Sequence, residues 1–315
     1  MSSQEALQSP IYLSYVAIVA GILLLAGIAL AVLQWGAGRD VSHAATSFRA
    51  WLIMVPGVAL VQFLGREATI VSVVALAICG FREFARATGL SQNRLMTAVP
   101  IAGMVCAGAL AWADGAVPSL SQSWYEWFLA LPAFVTAAIL LSPIFRNQVA
   151  GQLRQIALAV LGFVYIGWMF GHLAFLANAS NAYGYLCFVL VAVTLNDVAA
   201  YACGRLFGRR PLRSNISPKK TWEGALGGAA VSLLLPWLLW FSFPHFGVWE
   251  LILTGLIVGI GGQLGDLSIS VMKRDVGVKD MGSSIPGHGG ILDRIDSLIY
   301  VAPLFVHMTR TFHQQ

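Results

Sequence analysis

The segment 11–33, IYLSYVAIVAGILLLAGIALAVL, is the stretch that decides the fold class. It contains no charged residue and exceeds the roughly 20 apolar residues that a helix needs to cross a bilayer. Similar apolar segments recur along the sequence. Only 10% of the 315 residues are charged and 58% are hydrophobic, whereas a soluble domain carries about 25% charged residues. The sequence therefore predicts an all-α fold, a polytopic integral membrane protein.

The apolar segments together predict about nine or ten membrane helices. Only Gly65, Arg66 and Glu67 separate the short second and third segments, which indicate either a tight helical hairpin or one broken helix. With ten spans the loops alternate between two sides, and of the 19 Lys and Arg residues only Arg66 and Arg310 fall on one side. The positive-inside rule then places the base-rich side in the cytoplasm and both termini outside. The ten spans are 11–33, 50–64, 68–81, 95–113, 124–145, 153–176, 183–204, 225–243, 250–272 and 292–309.

Late in the seventh span an acidic residue, Asp197, follows Asn196. An ionisable side chain inside a membrane helix costs about 2–4 kcal/mol or more, so it is a functional candidate by default. A purely structural pairing of Asp197 with Arg205 is the alternative.

A second candidate is SPKKTWEG, residues 217–224. Serine followed by proline is typical of a helix start, with Ser217 as the N-cap. A helix N-terminus offers free N–H groups and the positive end of a dipole. Lys219, Lys220 and Thr221 placed there would form a cradle for an anion, most naturally a phosphate. Contact with anionic lipid headgroups is the alternative, but the ordered pattern favours the phosphate site.

The ninth span carries Asp266, Ser270 and Lys273 on one helix face, since they are four and three residues apart. Asp266 lies about 10 Å below the base-rich end of the helix. An unpaired carboxylate at that depth is costly, so it needs a cation. Either Lys273 reaches down to Asp266 or a metal ion binds there.

The segment PGHGGILDRIDS, 286–297, leads into the tenth span. Asp293 and Asp296 share one helix face, and Asp293 can face Asp266 across the pair of antiparallel helices. Carboxylates that converge in a low-dielectric site repel one another unless a divalent cation holds them, and oxygen-only ligands select Mg²⁺ over zinc. His288 is interpreted as a hydrogen-bonding loop residue rather than a metal ligand.

Carboxylates beside many basic residues suit phosphoryl or nucleotidyl transfer, where catalysis is mainly positioning and charge neutralisation. The non-enzymatic alternative is an ion-coupled transporter that uses Asp197 and Asp266 as ion sites. That architecture predicts polar residues near mid-membrane and inverted repeats. Here the polar residues crowd one face and no repeat is visible, which favours the enzyme.

The motifs carry a resemblance to a known family. The pattern S-x-M-K-R-x4-K-D-x-G-x2-I-P-x-H-G-G-I-x-D-R-I-D at 270–296 resembles the signature of the phosphatidate cytidylyltransferases, the CDP-diacylglycerol synthases. SPKKTWEG and the pattern ND-x2-AY-x2-GR-x-FG, which begins at Asn196, are also similar to that family. The resemblance is strong over 195–300, and GFREF at 80–84 extends it weakly back to about residue 49.

The resemblance implies that CTP and phosphatidic acid give CDP-diacylglycerol and pyrophosphate, with Mg²⁺. CTP-dependent nucleotidyl or phosphoryl transfer to another lipid, of the isoprenoid type, is an alternative. We expect an N-terminal extension, 1–48, with one extra transmembrane helix, and a single membrane-embedded cytidylyltransferase domain, 49–315, with its catalytic region at 195–300.

The predicted site residues fall into three groups. The catalytic set is Lys273, Arg274, Asp266 and Asp293; the substrate-binding set is Ser217, Lys219, Lys220, Thr221, Glu223, Lys279, His288 and Arg294; the metal set is Asp266, Asp293, Asp296 and Asp197. Asp280 would join Asp197 and Asp296 in holding a second cation or in orienting the bases. We expect Mg²⁺ as cofactor, with room for a second, monovalent cation such as K⁺.

The expected partners are CTP, phosphatidic acid and membrane lipids. A homodimer is left open, and nucleic acid is not an expected partner. The predicted location is the cell (inner) membrane, as a multi-pass protein with its active site on the cytoplasmic side.

Overall fold

The computed structural model describes residues 1–36, 42–285 and 289–313. Within these ranges the chain is almost entirely helical, apart from one short antiparallel hairpin of two strands. The elements are α1 (Ser3–Gln8), α2 (Pro10–Ala31), α3 (Ser42–Leu64), α4 (Arg66–Ala87), α5 (Arg94–Ala116), α6 (Ser121–Phe145), α7 (Gln152–Leu161), α8 (Phe170–Leu176), α9 (Ala182–Phe207), β1 (Pro211–Arg213), β2 (Ser217–Thr221), α10 (Trp222–Leu238), α11 (Val248–Leu256), α12 (Gly262–Asp275) and α13 (Leu292–Phe312). Turns of π-helix extend α2, join α7 to α8, and join α11 to α12.

Eight helical stretches of the described residues are long and apolar enough to cross a membrane, which confirms the all-α, polytopic membrane fold. The predicted eighth and tenth spans are helices as well. The eighth is α10, with only 17 residues, and the tenth is α13, whose first turns contain Asp293 and Asp296. The broken-helix alternative is wrong, because α3 and α4 are separate helices of 23 and 22 residues that meet at Gly65 and pack together.

Contacts between helix ends define two faces of the bundle. Backbone oxygens of the first two residues accept hydrogen bonds from Arg66 N (3.3 Å) and Tyr183 Oη (2.9 Å), and Arg310 pairs with Asp114 at 3.4 Å. The chain start, the beginnings of α4 and α9, and the ends of α5 and α13 therefore share one end, which we call the far face. The ends of α4, α9 and α12 and the β1–β2 hairpin lie at the other end, the basic face. This grouping agrees with the predicted alternation of loops.

Helix α13 is the buried centre of the C-terminal half. It is buried along most of its length and packs against α4, α8, α9 and α12. Gly265 of α12 lies against the backbone of Asp296, where a Cβ atom would collide, and Tyr165 Oη donates to the Gly265 carbonyl at 3.2 Å. A small residue lets the two helices approach closely. Because Asp266 follows Gly265, this approach brings the acidic residues of α12 and α13 together.

Helices α9 and α10 form a second close pair. Gly228 of α10 lies against Asn196 of α9 where a Cβ atom would not fit, and Ser232 Oγ donates to Asn196 Oδ1 at 3.1 Å. The Asn196 side chain is thereby fixed in the interior with 0% of its surface exposed. Asp197, the next residue, is then presented toward α13.

Helix α2 is peripheral. Of its residues only Tyr12 and Tyr15 are buried, and Tyr15 Oη lies 2.6 Å from Ser242 Oγ. The rest of the helix presents apolar side chains outward, as expected of a helix that faces lipid. It packs against α1, α3 and α9.

Candidate active site

Two lysine–aspartate pairs mark the candidate site at the basic face. Lys220 Nζ of β2 lies 2.5 Å from Asp266 Oδ2 of α12. Lys273 Nζ of α12 lies 2.8 Å from Asp293 Oδ1 of α13. The first pair is partly open, with 29% of each side chain exposed, whereas the second is enclosed, with 11% and 3% exposed. The three candidate segments that carry these residues, namely SPKKTWEG, the ninth span and the start of the tenth, therefore meet in space.

The β1–β2 hairpin explains why Lys220 rather than its neighbour faces inward. Strand β2 pairs antiparallel with β1, with Arg213 opposite Ser217. Successive side chains of a strand point to opposite faces, so Lys220 reaches Asp266 while Lys219 is exposed. Arg274 Nε also donates to the Ile216 carbonyl at 3.2 Å, which ties the end of α12 to the hairpin.

The predicted N-cap is wrong. Ser217 lies in β2, and the helix begins at Trp222 with Thr221 as its N-cap, since Thr221 Oγ1 accepts the Gly224 N–H at 3.1 Å. The fixed φ of proline suits an edge strand as well as a helix start, so serine followed by proline did not decide between them. The basic residues of this motif therefore project from a strand that precedes the helix.

The carboxylate of Glu223, at the start of α10, binds the backbone just before the hairpin. Its Oε2 accepts the N–H groups of Arg209 (3.0 Å) and Arg210 (3.3 Å). This contact anchors the entry to the hairpin. The substrate-binding role of Glu223 stays a prediction.

Asp293, in the first turn of α13, binds both Lys273 and the backbone of the loop that precedes this helix. Its Oδ2 accepts the N–H groups of Met281 and Gly290, each at 3.0 Å, while Oδ1 accepts from Lys273. The interpretation that Lys273 reaches Asp266 is wrong, because Lys220 occupies that carboxylate. Asp266 also accepts from Ser270 Oγ at 3.3 Å, as expected for neighbours on one helix face.

Three carboxylates, Asp197, Asp266 and Asp296, lie close enough to interact electrostatically. Ser297 Oγ is within hydrogen-bond distance of both Asp197 Oδ2 (3.2 Å) and Asp296 Oδ1 (3.4 Å), so this hydroxyl bridges α9 and α13. The alternative in which Asp197 pairs with Arg205 is wrong, because Arg205 donates to a tyrosine hydroxyl instead. Negative charge is thus concentrated where α9, α12 and α13 meet.

The described residues contain no group of three or more His, Cys, Asp and Glu side chains already arranged to hold a metal ion. The donor chemistry nevertheless fits Mg²⁺, which prefers a few carboxylate oxygens together with substrate phosphates over an all-protein cage. Asp266 and Asp293 each pair with a different lysine. The metal set Asp266, Asp293, Asp296 and Asp197 stays a prediction.

The remaining predicted residues border the site. Lys219, Lys279, Asp280 and Arg294 are exposed, and none of them forms an ion pair within the described part of the chain. His288 lies outside the described residues.

The sequence analysis did not identify Glu83 as a functional residue, because GFREF at 80–84 was used only to extend the family resemblance. Glu83 is 1% exposed and accepts hydrogen bonds from Ser284 and Ile291 of the loop before α13 and from Leu292, the first residue of that helix. An acidic residue between the bulky apolar residues Phe81 and Phe84 was the available signal, because such a residue is buried only with specific partners.

Comparisons with known proteins place the site residues within the region that matches one family. A model of the cytidylyltransferase family matches residues 46–312. A phosphatidate cytidylyltransferase of Staphylococcus haemolyticus is 34% identical over 263 residues, which cover 82% of this chain and 95% of that protein. A phosphatidate cytidylyltransferase of Staphylococcus aureus is 41% identical over 160 residues, 50% of this chain and 60% of that protein.

A third relative, the uncharacterized protein YnbB of Escherichia coli, is 34% identical over 188 residues, 58% of this chain and 62% of its own length. The family match spans most of the chain and includes both lysine–aspartate pairs. This chain belongs to the cytidylyltransferase family.

Proposed function

We propose that this protein is a phosphatidate cytidylyltransferase, which converts CTP and phosphatidate into CDP-diacylglycerol and pyrophosphate. The family match and the names of its relatives support this activity. The observation that carries it is the meeting of Lys220–Asp266 with Lys273–Asp293 at one end of a membrane bundle. A membrane enzyme with this site can act on a lipid phosphate and a soluble nucleotide together.

The reaction needs charge neutralisation more than a base. A phosphate monoester is largely ionised at pH 7, because its second pKa is about 6. One of its oxygens attacks the α-phosphorus of CTP, a new P–O bond forms, and the bond to the β-phosphate breaks so that pyrophosphate leaves with the electron pair. The obstacle is the approach of two anions, which cationic side chains reduce.

Lys220 and Lys273 differ in exposure, and each therefore has its own role in neutralising phosphate charge. Lys220 is the accessible lysine, so a phosphate oxygen that displaces the Asp266 carboxylate gains the ammonium group and releases Asp266 as a ligand. Lys273 is enclosed and held by Asp293, which points it at a fixed position. Arg274 and the exposed Lys219 add positive charge at the rim.

The carboxylates supply the matching cation site. Asp266, with Asp293, Asp296 and Asp197, would hold Mg²⁺, and a second cation such as K⁺ fits the excess negative charge at Asp197 and Asp296. Bound there, Mg²⁺ would neutralise charge on the α-phosphate and on the leaving pyrophosphate.

The protein is a multi-pass membrane protein, and we place it in the cell (inner) membrane with the basic face in the cytoplasm. The support is the concentration of Lys and Arg at that face. CTP then reaches the site from the cytoplasm, and the lipid substrate keeps its acyl chains in the bilayer.

The test uses purified protein, phosphatidic acid, Mg²⁺ and CTP labelled either on the α-phosphate or on the γ-phosphate. Cytidylyl transfer moves the α-label into the lipid fraction and releases the γ-label as pyrophosphate. Transfer of the γ-label to lipid would instead identify a CTP-dependent lipid kinase. Parallel reactions with an isoprenoid phosphate test the alternative substrate, and no lipid-bound label with any lipid phosphate overturns the enzyme.

A further inference from the structure

The hydrogen bonds of Glu83 connect α4 to the segment that leads into α13. Its Oε1 accepts from Ser284 Oγ (2.5 Å) and Ile291 N (3.0 Å), and its Oε2 accepts from Leu292 N (2.9 Å). Within the described residues Glu83 forms no ion pair. The carboxylate is therefore held by neutral donors, all of which lie 201 to 209 residues away in the sequence.

The loop is shaped to receive this side chain. A Cβ atom at Gly282 would lie 2.5 Å from Glu83 Cδ, and one at Gly290 would also collide with the Glu83 carboxylate. Both positions are glycine, so the loop closes directly around the carboxyl group. Substituting either glycine requires Glu83 or the loop to move.

The same loop leads into α13, whose first turn contains Asp293, the proposed catalytic aspartate. Leu292 is the first residue of α13, and helix N-terminal N–H groups have no partner inside the helix. A carboxylate stabilises that end of the helix. Asp293, one residue further on, binds Met281 N and Gly290 N of this loop. Glu83 thus fastens the loop to α4 from one side while Asp293 closes it from the other.

We propose that Glu83 is a positioning residue for the transfer reaction, and that it sets the place of the Lys273–Asp293 pair by anchoring Ser284, Ile291 and Leu292 to α4. This inference rests on the proposed function. Glu83 itself touches neither substrate, because its carboxylate is enclosed by the loop. Its replacement therefore displaces the lysine and aspartate that act, while the exposed binding groups remain in place.

The first experiment compares Glu83→Gln with Arg86→Gln, an exposed residue one turn along α4. The glutamine amide offers one acceptor oxygen instead of two, so it cannot satisfy both ends of the loop. We expect kcat to fall about 10- to 100-fold, the usual cost of losing a residue that orients an active-site group, with the KM for CTP changed less than about threefold. Arg86→Gln should behave like the wild type.

A structural readout separates positioning from loss of fold. Hydrogen exchange followed by mass spectrometry should show faster exchange in the peptide that contains Ile291 and Leu292 of Glu83→Gln, with unchanged exchange in α5 and α6. A wild-type kcat in Glu83→Gln overturns the inference, as does a lower kcat with global loosening of all helices.

A double-mutant cycle gives the second test. Gly282→Ala alone should lower kcat because its Cβ displaces Glu83, whereas a Glu83→Ala background removes the three atoms that lie nearest to that Cβ. The double variant should therefore be no worse than Glu83→Ala alone, and multiplied losses would contradict the coupling. If the wild-type protein itself makes no labelled lipid, the proposed function fails. If the wild type is active and the Glu83 and Gly282 variants are equally active, only the positioning role fails.

Discussion

The two faces of the bundle use charge in opposite ways. At the far face Arg66 pairs with Glu67 at 2.8 Å, and Asp114 accepts from Asn178 (2.9 Å) and Arg310 (3.4 Å). Arg310 also lies over the Tyr125 ring, 3.7 Å from its centroid. Two arginines and two carboxylates are thus balanced within one network. This balance explains how the far face accommodates the two basic residues that the loop pattern placed there.

At the basic face the charges are not balanced. Three carboxylates, Asp197, Asp266 and Asp296, interact electrostatically with one another and with Lys220 and Lys273. Five further bases in and just before the hairpin form no ion pair among the described residues. These unpaired bases are Arg205, Arg209, Arg210, Arg213 and Lys219. Separated charge of both signs is costly unless a ligand compensates it. The far-face network thus supports the architecture, and the unbalanced charge of the basic face supports our proposal that it binds phosphates and cations.

The largest effect is expected from removing a carboxylate of the basic face. Asp266→Asn or Asp293→Asn should lower kcat/KM for cytidylyl transfer at least about 1,000-fold, which corresponds to roughly 4 kcal/mol. The reason is that each substitution removes the partner of a lysine and a proposed cation ligand. The measurement is transfer of α-labelled CTP to lipid by purified variants that elute as folded protein. Asp275→Asn, an exposed residue at the end of α12, is the control. Near-normal transfer by Asp266→Asn and Asp293→Asn would remove both residues from the mechanism.

The next effect separates two adjacent lysines of one strand. Lys220→Met should reduce kcat/KM about 100-fold, because the ammonium group inside the site is lost. Lys219→Met should reduce it less than about fivefold, because that side chain points outward. Steady-state kinetics of both variants measure the difference. Equal losses would show that the strand does not orient the two residues in the working enzyme.

The sequence allowed the fold to be predicted because span length and hydropathy are local properties. Every predicted span has a helical counterpart among the described residues, and the short second segment proved longer than its apolar core because α3 begins in the polar stretch before it. The start of α10 could not be predicted, since serine and threonine are both common at N-caps and only the pairing of β2 with β1 decides between Ser217 and Thr221.

The site was predictable in composition but not in pairing. The lysines and aspartates stood out because charged residues are rare in this chain. Which lysine meets which aspartate depends on the hairpin, whose position no local pattern specifies, so Lys273 was a plausible partner for Asp266. Glu83 was harder still, because its partners belong to a loop about two hundred residues away and only the packed structure connects them.

A smaller effect concerns ionic strength. Exposed charges more than about 8 Å apart are screened at physiological salt, so the unpaired bases in and just before the hairpin should attract CTP less strongly as salt rises. We expect the KM for CTP to increase roughly threefold between about 0.05 M and 0.3 M salt, with kcat nearly constant. Arg209→Gln combined with Arg210→Gln should flatten this dependence. A KM that ignores salt in the wild type would remove the hairpin from nucleotide capture.

The smallest effect on catalysis should come from the far face, where the charge network is structural. Asp114→Asn removes the charge that holds Arg310 and weakens the bond to Asn178, so the free energy of unfolding should fall by about 1–3 kcal/mol. Because the network lies at the opposite end of the bundle, kcat and the KM for CTP should stay within about twofold of the wild type. Tryptophan fluorescence during thermal unfolding in detergent measures the first quantity and the labelled-lipid assay the second. A large loss of kcat with unchanged stability would mean that the two faces are coupled, and the division between a structural and a catalytic end would be wrong.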